Sequence, residues 1–187
     1  MEIVDIFAVE KGTLYAAQYD EYDCDEFVRA FRQWNDTEYL EDFFETHKAD
    51  FSGVYAGVSV EHAIFRTINE ADEFEKRIRR VSKNGSFING NSLQDLVFYP
   101  LHNNDNNFVL QESKSYGTEH KSWLRIYAIR ISAQCYVVSG SAIKLTAAMQ
   151  DRTHTNDELK KLKITADELK KLGYTEADDF GYIDYPI

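Results

Sequence analysis

At 187 residues, 43% hydrophobic and 14% aromatic, the chain can bury a core, which excludes a natively disordered segment. Its net charge of −11 opposes long-range attraction to nucleic acid, and two isolated cysteines, Cys24 and Cys135, make neither a disulfide framework nor a metal cluster. No apolar run is long enough to span a bilayer, and the start, MEIVDIFAVEKG, lacks the basic and apolar regions of a secretion signal, so a cytoplasmic protein with reduced thiols and no membrane association is expected.

In chain order, Ile3 to Tyr19 reads as strand, turn, strand, with Lys11-Gly12 at the turn. CDEFVRAFRQW places Phe27, Phe31 and Trp34 at helical spacing, and TEYLEDFFETH does the same with Leu40, Phe43, Phe44 and His47. A longer helix is expected from Ser59 to about Asn84, because apolar residues from Val60 to Val81 step by three and four. LQDLVFYPL reads as a short helix stopped by Pro100, and HNNDNN as a loop. Three strands are expected next: Phe108 to Ser115, Ser122 to Ile131, and Cys135 to Ser139, the last continuing through Ile143 to Thr146. Short links between them favour antiparallel pairing. DELKKL occurs twice, each copy behind a capping box (Thr155 with Glu158, Thr165 with Glu168), which predicts two short helices, with Gly173 ending the second. The tail beyond is acidic and aromatic.

The expected fold is therefore α+β: a small antiparallel sheet with a helical N-terminal region and short C-terminal helices. It forms a single domain, 1–187, with an extension over 1–107, a core over 108–172 and a tail over 173–187. The charge divides along the same lines. Residues 1–50 carry 4 Lys/Arg against 14 Asp/Glu, whereas residues 101–150 carry 5 against 3.

No phosphate loop, dinucleotide fingerprint, nucleophile elbow or HExxH helix occurs, and His47, His62, His102, His120 and His154 show no ligand spacing, so neither metal nor cofactor is expected. The informative segment is SWLRIYAIRISAQCYVVSGSAIKLT. Alternation predicts Leu124, Ile126 and Ala128 on one sheet face and Trp123, Arg125 and Tyr127 on the other. If helices cover only one face, the other is open and presents an arginine between aromatics, which suits RNA because bases stack and phosphates pair. The plainer alternative is cross-strand packing by Trp123 and Tyr127 around a surface arginine.

Helix, helix and three strands, with ESKSYG, LRIYAI and YVVSGSAIKLT in that order, resemble the RelE/HigB superfamily of bacterial toxins; MQDRTHTNDELKKL resembles the helix that follows the family's lysine segment. The resemblance covers about residues 108–172. It implies the toxin of a toxin–antitoxin pair, a metal-independent endoribonuclease that cleaves mRNA on the ribosome and is neutralised by a small antitoxin. On that reading Arg125 and Lys144 hold phosphorane charge, while Lys114, Tyr127, His154 or His120 share proton transfer as the RNA 2′-hydroxyl attacks its phosphate. Lys121, Trp123 and Arg152 would contact RNA. The alternatives are a non-catalytic protein-interaction module on the same fold and a gyrase-poisoning toxin of the ParE branch. The acidic N-terminus is expected to face away from the basic sheet face.

Overall fold

The computed structural model describes residues 1–84, 92–102, 109–119, 121–146 and 153–180, apart from the side chains of 52–54 and 154. The chain opens with a hairpin of β1 (Ile3–Glu10) and β2 (Leu14–Tyr19), turned at Gly12 with φ +83°. Helices α1 (Glu26–Trp34) and α2 (Thr37–Thr46) follow. The Asp25 carboxylate accepts from the Phe27 and Val28 amides at the start of α1, and Asp36 caps α2 the same way. A seven-residue α3 (Lys48–Val54) leads to the long α4 (Val60–Asn84), the single turn α5 (Leu93–Leu96) and a two-residue β3 (Tyr99–Pro100). Three strands, β4 (Gln111–Tyr116), β5 (Leu124–Ser132) and β6 (Cys135–Ile143), precede α6 (Thr153–Leu172) and a 3-10 turn at Ala177–Phe180.

The architecture is α+β. One six-stranded sheet has the order β1-β2-β6-β5-β4-β3, and every pairing is antiparallel except β2 with β6. Phe27, Phe31, Trp34, Phe44 and Phe74 from the helices pack on Leu124, Ile126, Ala128 and Val138 on one face. On the other face Leu162 and Leu169 of α6 meet Ile6, Tyr15, Ile129 and Val137, and the Phe180 ring stacks on Tyr15 at 4.4 Å. Both faces are therefore covered over β5 and β6, and the open face expected from sequence is closed there by α6.

Several expectations are modified in detail. The two short C-terminal helices are one continuous helix of 20 residues. Thr165 does not cap a second helix. Its hydroxyl donates to the Lys161 carbonyl one turn back at 2.9 Å and shares a hydrogen bond of 2.9 Å with the buried Tyr19 hydroxyl. Strand β6 runs unbroken through Gly140 to Ile143, with a register shift opposite Tyr127 and Ala128 absorbing the change of twist. Elements α3 and β3 are additional to the expected ones. Most of HNNDNN, residues 103–107, and Phe108 lie outside the described residues, as does the end of the tail, residues 181–187. Both cysteines are free; Cys135 is buried, and burial pushes its thiol up to about 12.

Trp34 is almost wholly buried, with its ring stacked on Phe74 at 6.1 Å and meeting Phe31 edge-on at 5.3 Å. Trp34→Ala is expected to lower unfolding free energy by about 3–5 kcal/mol through lost burial and the cavity left behind. Chemical denaturation of the two chains measures it.

Candidate functional site

Register builds the site. Across β4 and β5, Lys114 pairs with Tyr127 and Tyr116 with Arg125; across β5 and β6, Arg125 pairs with Ala142 and Tyr127 with Gly140. Tyr127 and Ala142 belong to the α6 side of the sheet, so Lys114, Tyr116 and Arg125 stand on that side too. Lys144 adds one rung beyond β6, its amide donating to the Trp123 carbonyl at 2.7 Å. Ile143 and Leu145 on either side of it are both buried in the helical core, and Lys144 itself is half-buried.

The Arg125 guanidinium lies 4.2 Å over the Tyr116 ring, and its Nη1 donates to the carbonyls of Ser122 (2.8 Å) and Leu124 (2.7 Å). Lys114 Nζ donates to the Leu101 carbonyl at 3.1 Å and sits 5.9 Å from the same ring. Arg77 of α4 reaches over and donates to the Tyr116 carbonyl at 2.6 Å. Among the described residues none of these three cations has a carboxylate within ion-pair distance. Burial pulls both arginines below the usual guanidinium range. Two half-exposed rings, Tyr99 and Tyr116, stand 6.1 Å apart and line a shallow depression with Arg77, Pro100 and Lys114. In a chain with 32 acidic residues, three cations with no carboxylate partner among the described residues stand beside two accessible rings, a combination chemically suited to an anion.

The remaining expected site residues are placed differently. Trp123 is not on the Arg125 face. It precedes the first residue of β5, where strand alternation does not reach, and it is fully buried, with its Nε1 donating to Thr67 Oγ1 at 3.0 Å and its ring against Phe44, Phe51 and Tyr55. As a core residue it offers RNA no surface. Tyr127 shares the Arg125 face but is 1% exposed. Burial raises its hydroxyl well above the usual phenol range, and its oxygen has no hydrogen-bond partner among the described residues. Lys121 is exposed, in the left-handed region at φ 60°, with its carbonyl accepting from Tyr55 at 3.3 Å. His154 lies in the first turn of α6, its side chain outside the description; His120 and Arg152 are outside the described residues.

Sequence reasoning missed a cluster of four charges, three of them buried and Arg29 half-buried, and one buried acid beside the site. Glu70 is 2% exposed and accepts from the Glu119 amide at 3.0 Å; its field reaches both Arg77 and Arg125. The four charges close the gap between α1 and α6. Arg29 Nη2 donates to Glu26 Oε2 at 2.7 Å and stands 3.7 Å from Glu158; Lys161 Nζ donates to Glu26 Oε1 (3.0 Å) and Glu158 Oε1 (3.1 Å). The guanidinium and ammonium lie 4.6 Å and 4.9 Å over the Tyr22 ring. The signal was present: Thr155, Glu158, Lys161, Leu162, Thr165 and Leu169 recur at helical spacing on one face, so their polar members had to be buried with the leucines. A Cβ on Gly140 would land on the Glu158 carboxylate, which explains a glycine in the middle of β6.

Among the described residues, no helix is long and apolar enough to cross a membrane, and no group of three or more His, Cys, Asp or Glu could hold a metal ion.

Burial drives the Glu158 carboxyl up from 4.5 to about 7, against the pull of Lys161. A carboxyl whose folded pKa is raised stabilises the fold in its protonated form. That contribution is whole below the unfolded value near 4.5 and is lost as pH rises through the folded value near 7. Urea unfolding between pH 5 and 8 is expected to show stability falling with pH from this group, and Glu158→Gln is expected to flatten the slope. An unchanged slope in the variant removes Glu158 as its source.

No family model, no curated protein and no solved structure matches the chain.

Proposed function

We propose that the protein is an RNA-acting toxin of the RelE/HigB kind, a metal-independent endoribonuclease restrained by a small antitoxin. The observation that carries this reading is the convergence of Lys114, Arg125 and Arg77 around Tyr116, with no acidic partner among the described residues. The helices followed by the β4–β5–β6 meander, on which the resemblance rests, are consistent with it. A phosphate between Lys114 and Arg125 meets two cations already held in place by backbone carbonyls, which lowers the cost of organising them. Tyr99 and Tyr116 supply π-faces for unpaired bases. As the RNA 2′-hydroxyl attacks, its proton passes to water and charge grows on the phosphorane oxygens, where Arg125 and Lys144 stabilise it; the P–O5′ bond then breaks and the Lys114 ammonium gives a proton to the departing 5′-oxygen.

A second reading, binding on the same surface without cleavage, is favoured by the burial of Tyr127.

Induced expression in a bacterial host is expected to arrest growth. The purified chain is expected to cleave a single-stranded RNA oligonucleotide in the presence of a chelator, leaving 2′,3′-cyclic phosphate ends. Lys114→Ala or Arg125→Gln is expected to reduce the cleavage rate roughly a hundred-fold or more, with an unchanged melting temperature. RNA bound but never cut, with binding lost in both variants, favours the second reading. Normal growth with neither binding nor cleavage overturns both.

A further inference from the structure

The Arg125 guanidinium is held by the turn between β4 and β5. Its Nη1 donates to the carbonyls of Ser122 and Leu124. Those two residues are themselves tied in. The Ser122 amide donates to the Glu119 carbonyl at 3.1 Å, the Leu124 amide to Ser122 Oγ at 3.0 Å, and the Gly117 amide to the Leu124 carbonyl at 3.2 Å. Wherever this turn sits, Arg125 follows.

The turn is anchored from outside the sheet. Glu70, in the middle of α4 and 2% exposed, accepts from the Glu119 amide at 3.0 Å. Its carboxylate also fills the space that a side chain at position 117 would need: a Cβ on Gly117 would collide with Glu70 Oε1 and Ser122 Oγ together. Glycine at 117 is what lets the acid, the serine hydroxyl and the strand end meet. Two turns along the same helix, Arg77 donates to the Tyr116 carbonyl at 2.6 Å. Helix α4 therefore grips the chain on both sides of Gly117. A carboxylate this deep is costly, and its Oε2 has no hydrogen-bond partner among the described residues. Burial lowers the affinity of Arg77 and Arg125 for their protons, and the Glu70 charge works against that loss. The same charge opposes an anion at Arg125, so what Glu70 gives the site is geometry rather than attraction.

We propose that Glu70 is the positioning residue of the Lys114–Arg125 site: it fixes the β4–β5 turn from α4 and, through the Ser122 and Leu124 carbonyls, sets where the Arg125 guanidinium stands. It acts through Arg125 and takes no part in the chemistry itself. The entropy of ordering the guanidinium is then met when α4 docks on the sheet, before any phosphate arrives. The inference rests on the RNA reading of that site for its binding test, and on Arg125 alone for its second readout.

Two conservative variants of the full chain separate reach from charge. Glu70→Asp keeps the charge and withdraws the carboxylate by one methylene; Glu70→Gln keeps an accepting oxygen in place and removes the charge. The readouts are affinity for a fluorescent single-stranded RNA protected from cleavage by 2′-O-methyl groups, and the fast mobility of the Arg125 Nε–H group by 15N relaxation, which needs no RNA. Glu70→Asp is expected to bind about ten-fold more weakly, the size of one lost hydrogen bond, and to loosen Arg125. Glu70→Gln is expected to bind at least as well as the native chain and to leave Arg125 rigid. In an Arg125→Gln background Glu70→Asp is expected to cost nothing further, whereas a merely structural loss would add in full. If Glu70→Asp does not fold, Gly117→Ala, which displaces the carboxylate, is read in its place with the same expectations. Native behaviour of the Asp variant in both readouts overturns the proposal, as does an equal loss in Glu70→Gln or a loss that persists without Arg125. If the native chain binds no RNA, the reading of the site fails and Arg125 mobility decides the role of Glu70: loosening in the Asp variant alone upholds it, and unchanged mobility overturns it.

Discussion

Three rungs of parallel ladder hold the molecule together. Leu14, Tyr15 and Ala16 of β2 pair with Tyr136, Val137 and Val138 of β6, and the Tyr136 amide adds a bond of 2.9 Å to the Thr13 carbonyl. Every helix of the N-terminal half and three strands lie in the chain between these partners. A parallel pairing cannot be closed by a tight turn, so the intervening chain must cross the sheet, and its helices deposit their aromatic stripes on one face as they do so. The same rungs divide the core: Leu14 and Tyr136 look to the helical layer, Tyr15 and Val137 to α6.

Beyond the third rung β2 and β6 separate, and the space is filled by ions rather than hydrocarbon. Glu26 and Arg29 come from α1, Glu158 and Lys161 from α6, over 130 residues later in the chain. Ion pairs this deep contribute little net stability, because desolvation cancels most of the attraction. What they supply is exclusiveness. A helix that brings Glu158 and Lys161 to the sheet can seat itself only where Arg29 and Glu26 wait, which fixes α6 against sliding along an otherwise apolar surface.

The sequence reveals most where local chemistry is self-sufficient. Asp25 and Asp36 before apolar helical stripes, Lys11-Gly12 between two strand runs, and the three strands after Gln111 are each decided by residues close together in the chain. The pairing of β2 with β6 is not, because nothing local to Leu14 names Tyr136 as its neighbour. The capping boxes mislead for a related reason. Thr165 with Glu168 is a sound helix start in isolation, but Tyr19, brought near only by folding, gives the Thr165 hydroxyl a role inside a continuous helix. At the site, alternation correctly groups Arg125 with Tyr127 and, across strands, with Lys114. It fails at Trp123 because the strand had not yet begun, and it gives no warning that α6 would seal Tyr127.

Gly140 gives these contacts a history. The Glu158 carboxylate occupies the volume that a side chain at position 140 would need, so the two positions share one allotment of space. Among descendants of this sequence the pair is bound to drift in concert. A residue larger than glycine at 140 can enter only after Glu158 has shortened, and a shortened residue at 158 strands Lys161 without one of its two carboxylates. The route to change there runs through three positions in a fixed order, and intermediates taken out of order would be selected against before any effect on function was felt.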